Sequence, residues 1–166
     1  SICHDCSAGC NVFVDTLENE VHRIKSRYNP TVNGHWICDE GRYGYQAWQQ
    51  TPRLDRPLKR GEGGLEEATW DEVLSLTVNA LQHSAEQFGP ASVAALGSAT
   101  ATNEENYLLA DLFRGHLDTT NVGVIHRHTG GYTEPFKPGF KIYSDKNWNA
   151  GGCAAMLGLP GLGIDS

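Results

Sequence analysis

Four of the five cysteines fall in the first 38 residues, spaced C-x2-C-x3-C-x27-C as Cys3, Cys6, Cys10 and Cys38. No other feature constrains the chain as much. Three thiols on one short loop can take three corners of a cube, and a distant strand end can supply the fourth. Four thiolates so arranged hold an iron–sulfur cluster of the [4Fe-4S] type. Gly9 and Gly41 stand where a backbone must bend tightly around a bulky inorganic core. A disulfide framework fits poorly, because the count is odd and the first three thiols are too close in sequence to pair usefully. A structural zinc site is the serious rival, although zinc ribbons show two separated C-x2-C pairs rather than a trio and a remote partner. His4 and His35 lie near enough in sequence to replace a thiol, yet four thiols already suffice. A solvated histidine, or one that supports a ligand from behind, is the plainer role for each.

At 166 residues the chain is long enough for one ordinary core. No run approaches the ~20 apolar residues that cross a bilayer, so no membrane span is expected. There is no signal-peptide pattern and no initiator Met, and the first thiol is the third residue. We expect a processed chain or an incomplete piece of a larger subunit.

The net charge of −7 is uneven: residues 1–60 carry eight Lys/Arg and seven Asp/Glu, residues 61–166 five and thirteen. The cysteine region is therefore near neutral before any metal is added. Arg23, Lys25, Arg27 and Arg42 are candidates to offset an anionic cluster, with ordinary surface charge as the alternative for any one of them. No basic patch or reading motif points to nucleic acid. Thiol usage suits a reducing compartment.

Asn11–Asp15 and Glu20–Lys25 read as two strands of a hairpin turned at Leu17–Asn19. Asn29-Pro30 and Asn33-Gly34 mark 28–34 as loop. His35–Cys38 reads as a third short strand that delivers the last thiol. Such a unit has little core, and metal would be part of its folding energy. A Pro-, Arg- and Gly-rich stretch, 51–64, reads as a linker, with a boundary near residue 60. The domains are then 1–60, an α+β cluster-binding domain with a small antiparallel sheet, and 61–166, the start of an α/β parallel-sheet domain.

In the second domain the period changes. Thr69-x-x-Glu72 is a capping box, and Leu74, Val78, Leu81, Ala85 and Phe88 form one helical stripe that Gly89-Pro90 ends. Ser92–Leu96 is a short buried strand. Thr102-x-x-Glu105 caps a second helix with Leu108, Leu109, Leu112 and Phe113 on its apolar face, and Asn121–Ile125 is another strand. This β-α-β order predicts a parallel sheet with a right-handed crossover. From about Arg127 no period survives. His126, His128, Pro135 and Pro138 sit in polar, turn-rich sequence, and no terminal element is expected. Cys153 reads as a small buried residue rather than a ligand. So short a sheet would leave apolar surface uncovered, to be met by further sequence or a partner.

Cys3-x2-Cys6-x3-Cys10-x27-Cys38 followed by Gly41-Arg42-Tyr43-Gly44 resembles the amino-terminal cluster domain of the molybdopterin oxidoreductases, a superfamily that includes formate dehydrogenases and nitrate reductases. The stretches Ser1–Asn11, Arg23-Ile24, Arg27–Asn29, Val32-Asn33 and Ile37–Asp39 look more like one offshoot, the large iron–sulfur (G) subunit of bacterial NADH:quinone oxidoreductase, respiratory complex I. So do Arg53-Leu54, Pro57-Leu58, Glu67–Trp70, Glu104-Glu105, Tyr107–Leu109 and Asn121. The likeness covers roughly 1–128, with a weaker echo at Asp145–Asn147, Asn149 and Gly151-Gly152.

The resemblance implies that Cys3, Cys6, Cys10 and Cys38 ligate a [4Fe-4S] cluster lying off the main path between flavin and quinone. It implies partners in a multi-subunit complex: an NADH-oxidising flavoprotein and other iron–sulfur subunits. The location implied is cytoplasmic, peripheral to the inner membrane through those partners. One position departs from the wider superfamily. Its catalytic members carry C-x-K-G-R, and here Glu40 replaces that lysine. A carboxylate beside an anionic cluster does not suit a relay to a pterin, so no molybdopterin and no catalytic residue is expected. The role expected is electron transfer without catalysis. The alternatives are a fragment of a molybdopterin-dependent oxidoreductase such as a formate dehydrogenase, and a non-redox scaffold stapled by a structural cluster. Asp39 and Glu40 are expected to be solvated. The Gly-rich 151–163 is not a phosphate loop, and the remaining histidines show no metal spacing.

Overall fold

A computed structural model of the chain describes residues 1–125, 134–137 and 140–159, the side chains of 134–137 excepted. The expectations placed on His126, His128, Pro138 and the end of the Gly-rich 151–163 lie outside the described residues.

The first unit is built on the hairpin β1 (Val12–Leu17) and β2 (Glu20–Ser26), paired antiparallel with Val12 opposite Ser26 and Val14 opposite Ile24. Glu18 and Asn19 make its two-residue turn at φ +51° and +67°. Both central residues at positive φ match the right-handed twist of the strands. A register shift at Asp15/Thr16 bends the ribbon. Two short helices follow, α1 (Asp39–Tyr43) and α2 (Tyr45–Gln50). The Tyr45 hydroxyl donates to the His22 carbonyl at 2.8 Å and ties α2 to the hairpin. Val12, Ile24 and Ile37 form the small apolar core.

Two expectations are corrected here. Residues 35–38 form no strand, because their backbone pairs with no neighbouring strand: Ile37 packs into the small core and Cys38 starts α1. The stretch 51–64 is not all linker, since β3 (Leu58–Gly61) and β4 (Gly64–Glu67) form a second antiparallel hairpin.

The β-α-β order is as the sequence predicts. β5 (Ala95–Ser98) pairs parallel with β6 (Val122–Ile125), Ala95 opposite Val122. α4 (Asn103–Ala110) crosses between them and runs on through a wider, π-type turn, Asp111–His116. Its capping box is complete: Thr102 Oγ accepts the Glu105 N–H at 3.2 Å and the Glu105 carboxylate accepts the Thr102 N–H at 2.7 Å. The box before α3 (Trp70–Phe88) is only half made. Thr69 Oγ accepts the Glu72 N–H, but the Glu72 carboxylate pairs with Lys59 of β3 instead.

The predicted stripe of α3 is helical yet largely uncovered. Leu81 packs on the main core, while Leu74 and Phe88 are 54% and 69% exposed. The reason is breadth: a two-stranded sheet offers too little surface to bury a helix of 19 residues. The main core gathers Val93, Ala95, Ala99, Ala110, Phe113, Val122, Ala150, Cys153 and Leu157.

Beyond residue 133 the described residues form elements that the sequence does not suggest. β7 (Glu134–Lys137) and β8 (Phe140–Ile142) pair antiparallel, and α5 (Ala150–Met156) packs on α4. α5 is a poor helix former by composition. Its small residues let it sit close, and a Cβ on Gly152 would come within 2.1 Å of Asn103 Oδ1. Cys153 is fully buried there, as expected. Among the described residues no helix is long and apolar enough to cross a membrane.

Candidate metal centre

The cysteine loop is closed at its neck by backbone pairing. Ile2 bridges Asn11, the Cys3 N–H donates to the Cys10 carbonyl at 2.7 Å, and the Val12 N–H donates to Ser1 at 3.0 Å. Gly9 makes the return at φ +63°. Cys6 and Cys10 are buried, Cys3 and Cys38 half-buried.

Cys38 arrives as the cap of α1, its Sγ accepting the Gly41 N–H at 3.4 Å. A Cβ on Gly41 would lie 2.9 Å from Cys3 Sγ and 3.1 Å from Ile37, so a glycine is needed for α1 to approach the first thiol. Asn33, wholly buried, holds the approach to Cys38. Its Oδ1 accepts the Asn11 N–H at 3.0 Å, and its Nδ2 donates to the carbonyls of Trp36 at 2.9 Å and Arg27 at 3.3 Å. Sequence reasoning reads Asn33-Gly34 only as a loop breaker. Nothing local marks Asn33 as the buried link between the loop and the hairpin.

The four thiols share one electrostatic environment. Burial raises the Cys10 thiol to about 12, with the charges of Cys6, Cys3 and Cys38 adding to it. Burial also raises Cys3 and Cys38, against the opposing N–H groups of Asp5 and Gly41. Cys3, Cys10 and Cys38 therefore resist ionisation without a cation, and a metal core that neutralises the thiolates reverses that penalty. The donors fit an iron–sulfur group: four thiols, backbone N–H groups aimed at sulfur, and a glycine cradle. Among the described residues no three of these sulfurs lie within 4.8 Å of one another. A single tetrahedral zinc with bonds of about 2.3 Å needs its sulfurs about 3.8 Å apart.

His4 faces Trp48 with ring centroids 6.5 Å apart, and His35 stacks on Tyr28 at 4.3 Å. The basic residues named from sequence are largely engaged elsewhere. Arg23 and Lys25 pair with Asp15, and Arg27 donates to Asn11 Oδ1 at 2.6 Å.

A cation beside the thiols that local sequence does not single out is Lys146. It pairs with Glu40 and lies 3.3 Å from Asp5. Glu40, expected to be solvated, is therefore ion-paired. Asp5, Glu40 and Cys38 place their ligand atoms within 4.8 Å of one another. Burial pulls the Lys146 ammonium down, but Glu40 and Asp5 outweigh this and leave it raised. Beside the cysteine loop a cavity of about 430 Å³ opens between the hairpin and the two short helices, its lining including Val14, Val21 and Trp48 as well as Cys3, Asp5 and Glu40.

Comparison with known proteins decides the lineage. Residues 4–46 match the NADH-ubiquinone oxidoreductase NDSU1/NuoG-like 4Fe-4S domain, and residues 53–134 match the molybdopterin oxidoreductase family.

The chain carries a NuoG-like 4Fe-4S domain followed by a molybdopterin oxidoreductase domain.

Among its relatives, the G subunit of NADH-quinone oxidoreductase from Streptomyces coelicolor is 37% identical over 74% of this chain and 14% of its own length. The probable oxidoreductase YjgC and the putative formate dehydrogenase YrhE of Bacillus subtilis are 33% and 32% identical, each over 77% of this chain and 13% of their own length. The chain thus spans about one seventh of the curated relatives that it matches. A solved structure, acetylene hydratase from Pelobacter acetylenicus, shares the fold with a TM-score of 0.62 at 22% identity, over 74% of this chain and 18% of that one.

Proposed function

We propose that this NuoG-like chain is an iron–sulfur electron-transfer module, without catalytic residues of its own, of a multi-subunit NADH-oxidising complex of the NADH:quinone oxidoreductase type. One observation supports the reading: four thiols, two of them buried, lie close enough to raise one another's pKa, with Gly41 against Cys3 and Cys38, in a domain whose family is named for a 4Fe-4S cluster. Cys3, Cys6, Cys10 and Cys38 would each hold one iron. The bound cluster would supply a one-electron couple. The chain's own part is to exclude water with Val12, Ile24 and Ile37, to donate the Gly41 N–H to Cys38 Sγ, and to set the nearby charge. Residues 1–60 and 61–166 would act as cluster domain and partial molybdopterin-oxidoreductase-like domain. The partners would be the NADH-oxidising flavoprotein and other iron–sulfur subunits, and the setting the cytoplasmic side of a membrane.

Anaerobic reconstitution of the whole chain tests this. Iron and acid-labile sulfide near four each, with an EPR signal on reduction, are expected. One zinc without sulfide overturns the reading, and a cluster that never reduces makes it a structural staple.

A second reading, a piece of a molybdopterin-dependent oxidoreductase such as a formate dehydrogenase, draws on the match of residues 53–134 and on the relatives' names. Glu40, standing where that class carries lysine, speaks against it, and we propose no pterin here. Extraction of a pterin guanine dinucleotide from the purified protein would favour the second reading.

A further inference from the structure

We propose that Lys146 sets the reduction potential of the cluster, a reading that rests on the iron–sulfur assignment above. The cluster region holds two carboxylates, Asp5 and Glu40, whose oxygens lie within 4.8 Å of Cys38 Sγ. Two negative charges at that range oppose the arrival of an electron. Lys146 spans both, 3.3 Å from Asp5 and in an ion pair with Glu40. It cancels one of the two charges. Its side chain is 23% exposed, so salt screens it less than a surface lysine.

Placement of this cation does not depend on its charge. The Asp145 carbonyl accepts the Ser7 N–H at 2.9 Å, which docks the segment directly on the cysteine loop. Asp145 Oδ1 accepts the Asn147 N–H at 2.9 Å and the Asn147 amide at 2.8 Å, closing a tight turn. Asn149 donates from its backbone to Ala99 at 2.9 Å, and from its side chain to Ala101 at 2.8 Å and Asn103 at 2.9 Å. Two residues of 145–149, Asp145 and Asn149, therefore fasten the segment to the loop and to the start of α4. The ammonium is not needed as a fastener, and its contribution is electrostatic. The couple it acts on takes up one electron, with no bond made or broken and no proton moved. Lys146 is a potential-setting residue, not a catalytic one.

The experiment is an EPR-monitored equilibrium titration of the full, cluster-loaded chain, with dithionite as reductant and redox mediators. Iron and sulfide are assayed on every sample. Lys146→Met restores the second negative charge. At a fixed poise its ratio of reduced to oxidised cluster is expected to fall about tenfold, a midpoint lower by ~59 mV for a one-electron couple. Lys146→Arg keeps the charge and should stay within about twofold of the wild type. Glu40→Gln breaks the same ion pair but removes a negative charge, so its ratio should rise.

A latch without electrostatic effect would move Lys146→Met and Glu40→Gln the same way or not at all, and either result overturns the proposal. If Lys146→Met does not retain its cluster, Glu40→Gln decides alone: an unchanged or lowered ratio overturns it. A wild-type chain that takes up zinc without sulfide, or a cluster that never reduces, removes the electron-transfer reading and this inference with it. An intact, reducible cluster with unmoved potentials removes only this inference.

Discussion

The two halves of the molecule are held together by different means. Among the described residues the α/β half gathers nine buried ones into one core, from Val93 to Leu157. The cysteine half buries three aliphatic side chains, Val12, Ile24 and Ile37. What it has besides is polar: a buried asparagine with three backbone partners, thiols whose burial disfavours their charge, and N–H groups aimed at sulfur. A core that small supplies little folding energy, so metal and hydrogen bonds must do in one half what apolar burial does in the other.

The comparison can be broken most severely at a thiol. Cys38→Ala should take iron from about four per chain toward zero. Amide-exchange protection should vanish over residues 12–45 and persist over 93–125. Retained protection in the first span would mean that its core suffices without metal.

Leu157→Ala should do the reverse. It removes a side chain that is 0% exposed at the centre of the larger core, at a cost of about 2–5 kcal/mol. Denaturant melts should show that loss in the α/β half, with iron per folded chain unchanged.

Asn33→Ala comes next. It leaves the Asn11 N–H and the Trp36 and Arg27 carbonyls without their partner, and one such buried loss costs about 1–3 kcal/mol. Faster iron loss to a chelator would register it, while the α/β melt stays put.

The smallest effect sharpens the contrast through pH. Burial, helped by neighbouring thiols, holds the folded Cys10 pKa at about 12, and burial raises Cys3 and Cys38 as well. The unfolded thiol titrates near ~8.5. A folded pKa raised above the unfolded one gives stability that is full below ~8.5 and is lost as pH rises toward the folded value. Whatever hairpin protection the metal-free chain retains should therefore decline above that pH. The loaded chain, whose thiolates are already ionised, should not follow.

Much of the local structure is legible in the sequence because its causes are local. The thiol spacing, the positive-φ turn at Glu18-Asn19 and the Thr102–Glu105 box each act within a few residues. The β-α-β order follows from a change of hydrophobic period. Where a local signal meets a distant competitor, it misleads. Glu72 belongs to a capping box by spacing, yet its carboxylate goes to Lys59. Residues 35–38 look like a strand, but no neighbouring strand pairs with them, and Ile37 is drawn into the core instead. α5 escapes a sequence reading because Gly151 and Gly152 hide a helix that only close packing justifies.

What the sequence by itself determined is the chemistry on offer: four thiols at a spacing that suits a cubane, and a glutamate two positions past the last of them. What only the tertiary structure decided is the charge around those thiols. Arg23, Lys25 and Arg27 are drawn to Asp15 and Asn11, and Lys146 reaches Glu40 across 106 positions. A charge acts through space, and the distance along the chain says nothing of how near two groups will lie once it has folded.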